Sequence, residues 1–188
     1  MGRWPAGAQE RLQDAAIALF AERGYERTTV ADIAGGAGLT ERSFYNHFSD
    51  KREVLFPDQD GFIAGLAAAV TAAPPERGPL DAITDALLST ADWFDERREA
   101  AGRRRRILDS RAELQEREHA KMAALDTALA GALRARGLAD PSAALTATAA
   151  VAAYRLATET WLADPQRRTL GHHLRAGVAD LRRAAQAW

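Results

Sequence analysis

Apolar side chains recur three and four positions apart along almost the whole chain, and no run of β-branched residues alternates long enough to make a strand. The pattern predicts an all-α protein of about nine helices. From Ala8 to Arg23, the residues Leu12, Ala16, Leu19 and Phe20 fall on one stripe, and Gly24 offers the left-handed residue that ends a helix. Thr29 to Asp32 reads T-V-A-D, a capping box, so a short second helix starts at Val30 with Val30, Ile33, Ala34 and Ala37 inward and Gly38 as its stop. A third helix covers Leu39 to Phe48. Asp50 to Glu53, D-K-R-E, is a second capping box and predicts a fourth helix reaching about Ala73.

The prolines of "PPERGP" at 74–79 lack N–H donors and restrict their neighbours, which places a loop there. Beyond it, a helix from about Leu80 to Glu99 is expected to bury Ile83, Leu87, Leu88, Phe94 and Trp93. A shorter one covers Arg103 to Asp109. Ser110 to Glu113 caps a long helix to Arg136, with Met122, Leu125, Leu129 and Leu133 in register and Gly137 as its stop. Asp140-Pro141 opens a helix to about Ala163, and the last runs from about Leu170 toward Trp188 with Leu174, Val178 and Leu181 along it.

A chain of 188 residues with 47% hydrophobic and 27% charged residues has enough apolar material for a real core, or for a small module joined to a larger one. Its formal net charge of −1 gives no global basic signature, so any nucleic-acid binding has to come from a local patch. The absence of cysteine excludes disulfides, thiolate metal sites and cysteine nucleophiles, and suits a reducing cytoplasm, the expected location. Neither a signal-peptide core nor an apolar span long enough for a membrane is evident.

Chemistry concentrates in "LTERSFYNHFSDK", residues 39–51. Thr40 is a good N-cap, and Leu39 and Phe44 are spaced as a hydrophobic staple. At about 100° per residue, Phe44 and Phe48 share one side while Arg42 and Asn46 point nearly opposite, with Ser43 and Tyr45 on the flanks. Two short helices joined by a glycine turn, the second with a polar outer face, make a helix-turn-helix whose second helix can enter a DNA major groove. Arginine suits guanine and asparagine suits adenine, while tyrosine, serine and threonine hydroxyls reach phosphates or bases.

From Arg11 to Phe56 the chain resembles the DNA-binding domain of the TetR family of one-component bacterial repressors. The resemblance is carried by the ungapped run "AAIALFAERGYERTTVADIAGGAGLTERSFYNHFSDKREVLF". It implies a DNA-binding domain over residues 1–52 and an effector-binding and dimerisation domain over 53–188. It also implies base or phosphate contacts at Tyr45, Asn46 and His47, a phosphate contact at Lys51, and backbone contacts from the hydroxyls of Thr28 or Thr29 and of Thr40. With Arg42 and Ser43 these make up the expected DNA-binding set. Gly35-Gly36 departs from the family pattern: each glycine costs roughly 1 kcal/mol against alanine, which predicts a frayed second helix. The partners implied are a palindromic double-stranded operator, a second copy of the chain, and a small-molecule effector; a C2 dimer sets its two recognition helices about 34 to 36 Å apart.

The alanine-rich segments 142–163 and 170–188 are expected to pack as a four-helix bundle across the dimer axis, with Trp161, Leu162, Leu174, Val178 and Leu181 as its larger contacts. A ligand cavity is expected among Trp93, Phe94, Leu108, Met122, Leu125, Tyr154 and Trp161, residue types that fill ordinary cores equally well. Arg103 to Arg106 either pair with Asp92, Asp95, Glu96 and Glu99 or form an anion site. The segment "RRRRILDSRAELQEREHAKMAALDTALAGALRARGL" resembles the C-terminal domain of a subgroup with acyl-CoA-like ligands, related to mycofactocin-system regulators. That would put an acyl chain in the apolar cavity, with Arg103 or Arg106 on the CoA phosphates. Rival classes are a DNA-binding dimer without effector and a helical enzyme. Against an enzyme, His47, His119, His172 and His173 show no metal-binding spacing, Glu116 and Glu118 point to different faces, and no nucleophile or phosphate-loop motif occurs, so no cofactor is expected.

Overall fold

The computed structural model describes residues 7–56 and 58–187. These form ten α-helices and one 3-10 turn, with no strand among the described residues. The helices are α1 (Ala8–Arg23), α2 (Val30–Gly36) and α3 (Glu41–Tyr45). After the 3-10 turn at Glu53–Leu55 come α4 (Gln59–Ala72), α5 (Pro79–Leu88), α6 (Ala91–Glu96), α7 (Arg98–Asp109), α8 (Ala112–Ala135), α9 (Ser142–Ala163) and α10 (Leu170–Gln186). The chain divides into two compact units. One takes the described residues through Gln59 together with Glu99–Glu118; the other takes Asp60–Arg98 and the described residues from His119 onward.

In the first unit α2 packs on α1 and α3, and the 3-10 turn on α1. Its core joins Leu12, Phe20, Ile33, Phe44, Phe48 and Leu55 to Ile107, Leu108 and Leu114 from α7 and α8. Burial of these side chains, each worth roughly 1.5–3 kcal/mol, is what fixes so short an α2 and α3. In the second unit α9 runs along α10 and α5, and α10 also packs on α5 and α6. Ile83, Leu87, Leu125, Leu129, Leu133, Trp161 and Leu174 are buried in it.

Several boundaries depart from the sequence expectation, each for a local reason. Asp50 does cap, accepting from the main-chain N–H of Arg52 (2.7 Å) and Glu53 (3.1 Å), but only the 3-10 turn follows it. Phe56 leaves the helical region (φ −129°, ψ 51°), as a residue before proline tends to, and Asp58 is left-handed (φ 44°), so the expected fourth helix starts at Gln59. The helix expected over Leu80–Glu99 splits where Ser89 and Thr90 turn their hydroxyls onto the carbonyls of Ala86 (2.7 Å) and Leu87 (2.8 Å). A second break, at Arg97 (φ −108°, ψ 17°), ends α6, and α7 begins at Arg98, ahead of Arg103. Ser110 donates to the Ile107 carbonyl (2.6 Å) and Asp140 accepts from Arg134 (2.8 Å), so neither caps the helix expected of it. Trp93, expected inside, is 52% exposed. Trp188 lies outside the described residues.

A polar knot joins α6, Arg98, α9 and α10 in the second unit. The Asp95 carboxylate accepts the Trp161 indole N–H (2.8 Å) and the Leu170 N–H (2.9 Å), the first turn of α10. Arg98 lies over the Trp161 ring and donates to the carbonyls of Trp161, Asp164 and Arg168. The Asp164 carboxylate accepts from the Arg168 side chain (2.8 Å) and from the N–H groups of Gln166 (2.9 Å) and Arg168 (3.1 Å), and meets His173 Nε2 at 3.0 Å.

The Arg168 guanidinium, opposed by burial and aided by the Gln166 N–H and the His173 ring, holds the Asp164 carboxyl well below the usual carboxylate range. A folded value depressed below the unfolded one, about 4, gives stability that is present above pH ~4 and is lost as the pH falls toward the folded value. Asp164→Asn should therefore lower the melting temperature at pH 7 and flatten its fall below pH ~4. Thermal melts of both proteins from pH 7 down to pH 2 check this; parallel curves would show that Asp164 does not carry the acid response.

Candidate nucleic-acid interface

The sequence builds this surface from two caps and two buried rings. The Thr29 hydroxyl accepts the Asp32 N–H (3.1 Å) and donates to the Asp32 carboxylate (2.6 Å), which also accepts the Thr29 N–H (2.8 Å), completing the predicted box. Those bonds, the Thr29 hydroxyl's first, lower the Asp32 pKa. Gly38, left-handed at φ 66°, turns the chain so that Thr40 can cap α3 by accepting the Ser43 N–H (3.2 Å). Phe44 is fully buried and sits 5.3 Å from Phe48, centroid to centroid, while Leu39 packs against the same core. Gly35 and Gly36 are helical in α2; a Cβ at Gly36 would rest on Ala15 and Leu19, and one at Gly35 would meet open space.

With that side anchored, Arg42, Tyr45, Asn46 and His47 are all exposed, Tyr45 at 56%. The helix is shorter than expected: α3 stops at Tyr45, and Asn46 and His47 occupy the turn after it, their N–H groups donating to Arg42 (3.1 Å) and Phe44 (2.9 Å) carbonyls. Thr40 and Ser43 share a hydroxyl hydrogen bond (3.0 Å) at the start of α3. Thr29 is exposed. Thr28 is 1% exposed and donates to the Gly24 carbonyl (3.0 Å), so of the two threonines only Thr29 presents a hydroxyl at the surface.

Lys51 is half-buried, and its ammonium is engaged by its own chain. It donates to the carbonyls of Tyr25 (2.9 Å) and Thr28 (3.1 Å) and stands 4.1 Å above the centre of the Tyr25 ring. Sequence reasoning missed this clamp; the available signal was an aromatic residue directly after the helix-ending Gly24. Burial, then the nearby Glu113 carboxylate, pushes the Tyr25 hydroxyl well above its ordinary pKa. Arg52 pairs with Asp50 (2.8 Å). Among the described residues, Arg42 is the cation of residues 40–52 with no carboxylate or carbonyl partner.

The other expected site residues are dispersed. Arg103, Arg106 and Leu108 belong to the first unit, where Leu108 is core. Trp93, Phe94, Met122, Leu125, Tyr154 and Trp161 belong to the second. There Phe94 stacks edge-on to Trp93 (5.0 Å) and Phe62 (6.1 Å), Met122 is half-buried, and Leu125, Tyr154 and Trp161 are buried. In the arginine run, Arg104 pairs with Glu118 (2.9 Å) and Arg105 with Asp109 (2.7 Å), both acids downstream, where the pattern had pointed upstream. Of the expected dimer contacts, Trp161, Leu174 and Val178 are buried within the subunit and have no surface to offer a second copy. Leu162 and Leu181 are half-buried, and the large apolar residues exposed on α9 are Leu145 (66%) and Leu156 (56%). No helix among the described residues is long and apolar enough to cross a membrane.

Comparison with known proteins covers both halves of the chain. Residues 12–56 match the family of bacterial regulatory proteins of the tetR type, and residues 77–186 match the MftR C-terminal domain. The transcriptional repressor KstR2 of Mycobacterium tuberculosis H37Rv is 47% identical over 57 residues, 30% of this chain and 28% of that relative's length. Two solved structures share the fold. The triclosan complex of SmeT, a repressor from Stenotrophomonas maltophilia, is 22% identical with a TM-score of 0.65, over 93% of this chain and 91% of that one. The Thermus thermophilus repressor FadR with lauroyl-CoA is 23% identical with a TM-score of 0.57, over 92% of each.

The geometry separates two kinds of surface residue. Replacing Lys51 by Met strands two carbonyls and should cost about 1–3 kcal/mol of stability. Asn46→Ala removes an exposed side chain and should stay within about 0.5 kcal/mol of the parent. Urea denaturation of both variants checks the pair; a Lys51→Met protein as stable as the parent would mean that the clamp holds nothing.

Proposed function

The chain belongs to the tetR family of bacterial regulatory proteins, and from that premise we propose that it is a ligand-responsive transcriptional repressor that binds a palindromic operator as a homodimer in the cytoplasm. The observation that carries this reading is the outward face of α3, where Arg42 and Tyr45 on the helix and Asn46 at its C-cap are exposed while the inner side is locked by Phe44. Arg42 and Asn46 supply base-reading groups, and Tyr45, Ser43, Thr40, Thr29 and His47 supply hydroxyl and ring N–H groups for bases and phosphates. The small exposed residues Ala31 and Gly35 on α2 leave room for the sugar-phosphate backbone to come close.

Dimerisation falls to α9 and α10. Leu145 and Leu156 lie about three turns apart on α9 with Ala149 and Ala152 between them, an apolar stripe narrow enough for close helix approach. The effector is a hydrophobic small molecule, a fatty acid or acyl-CoA, a class supported by the lauroyl-CoA bound to the FadR neighbour and by the MftR-type C-terminal domain. Induction then needs only modest coupling: a hundredfold loss of DNA affinity corresponds to about 2.7 kcal/mol. A second reading, a dimer without effector, draws on the second unit's core, where Leu125, Leu129, Leu133 and Trp161 are fully buried.

Selection from random duplexes should return a palindrome, and Asn46→Ala should relax preference at one base pair per half-site by about 1–3 kcal/mol. An unchanged preference removes Asn46 from base reading. Leu145→Glu combined with Leu156→Glu should convert a dimer to monomer in analytical ultracentrifugation, and a variant that stays dimeric moves the interface elsewhere. Acyl-CoA binding should raise the melting temperature at concentrations well above a micromolar dissociation constant; no shift would favour the effector-free reading.

A further inference from the structure

The first unit carries a half-open surface cavity of about 440 Å³. Phe20, Tyr25 and Ile107 form its floor, each more than nine-tenths buried, and Arg103, Arg106 and Arg111 line its rim. Arg103 and Arg106 stand three residues apart on α7 and so share one face. Their neighbours in the run are engaged elsewhere: Arg104 with Glu118 and the Leu55 carbonyl, Arg105 with Asp109. Among the described residues, neither Arg103 nor Arg106 has a carboxylate partner. The acids nearby do not cancel them. Glu26 lies 3.7 Å from Arg111, with both side chains largely exposed, and the Glu113 carboxylate acts on the Tyr25 hydroxyl, whose pKa it helps to raise.

In a chain of net charge −1, the two unpaired guanidinium groups of Arg103 and Arg106, with the Glu26-paired Arg111 beside them, concentrate positive charge over an aromatic and aliphatic floor. We propose that this cavity binds a small organic anion, an oxyanion head group carried on a planar or aliphatic body. The guanidinium forks match a phosphate or a carboxylate in two-point geometry, and the floor takes the apolar part. A volume of about 440 Å³ falls within the range of small-molecule sites. A duplex phosphate fits less well, since it brings no apolar body to Phe20 and Ile107. The floor residue Tyr25 is also the one on which Lys51 is held, so an occupant touches the clamp behind the exposed face of α3.

Isothermal titration of the full chain, without DNA, tests the site with phenyl phosphate, benzoate and inorganic phosphate as probes. Phenyl phosphate or benzoate should bind once per chain, the tighter of the two naming the head group, and inorganic phosphate about tenfold or more weaker for want of an apolar body. The exposed double variant Arg103→Ala/Arg106→Ala should lose about tenfold or more in that affinity, and Arg134→Ala, in the other unit, should lose none. No binding into the millimolar range, or binding that the double variant leaves unchanged, overturns the proposal. So does a double variant that binds the selected duplex more weakly with a shallower salt dependence, because the arginines would then belong to DNA phosphates. The probes are titrated without DNA, so a failed operator selection leaves the anion result standing, and the reverse holds too.

Discussion

A helix of five residues cannot hold itself. Isolated helices shorter than about 12–15 residues are marginal in water because the first turn fixes several dihedrals for a single hydrogen bond. The recognition surface proposed for this chain rests on such a helix, α3, and its existence depends on one side chain, Phe44, buried completely at the helix's fourth residue. Thr40 closes the start, and Phe48 and Leu39 close the flanks of the same ring. The outward direction of Arg42, Tyr45 and Asn46 follows from that anchoring and from nothing in those residues themselves. The rest of the first unit serves the same end, with Leu12, Phe20 and Ile33 supplying the wall on which Phe44 packs.

The second unit is ordered by a different device. Its helices are rich in alanine, which gives little burial per residue, and the junction of α9 with α10 is pinned by polar groups. Asp95 takes the Trp161 indole and the first turn of α10, while Arg98 and Asp164 satisfy the carbonyls and N–H groups that the turn between the helices leaves open. One oxygen of the Asp95 carboxylate accepts both N–H groups while the other is buried without a partner, and the satisfied oxygen fixes where α10 begins. Trp161 is fully buried as a result, which is why a residue that looks like a surface or pocket aromatic in sequence is instead a structural post.

Much of this was legible beforehand. The all-α class, the span of α1, the Thr29 capping box and the Thr40 cap all follow from periodicity and local hydrogen-bond chemistry, which act over a few residues. The inward placing of Phe44 and Phe48 was legible for the same reason. What escaped depends on partners distant in sequence. Nothing near Lys51 announces that the carbonyls of Tyr25 and Thr28 will receive its ammonium, and nothing near Arg104 announces Glu118 and the Leu55 carbonyl. Thr28 illustrates the limit well: two adjacent threonines look equivalent in sequence, yet one caps α2 at the surface and the other is buried against Gly24. Apolar periodicity likewise cannot say which stripe of α9 faces inward when alanine is spread around the helix, so Trp161, expected at a pocket and a dimer contact, is buried in the core.

The Lys51 clamp changes how a phosphate contact at that position has to be understood. A free surface lysine loses about 2 kcal/mol of rotamer entropy when it is immobilised on a phosphate. In this chain two carbonyls and an aromatic ring already hold the ammonium, so that loss belongs to folding. An ammonium has three donors, and two are used here, which leaves one for an outside acceptor. The net charge of the chain offers DNA little long-range attraction, and under that constraint a cation fixed in place is worth more than a mobile one. Tyr25 supplies both a carbonyl and the ring to that arrangement, so whatever fixes Tyr25 fixes the cation. Its ring is in turn held against Phe20 at 5.0 Å, in the same buried core that carries Phe44. The cation and the exposed face of α3 are therefore two readouts of one packing arrangement, and a change in that core reaches both together.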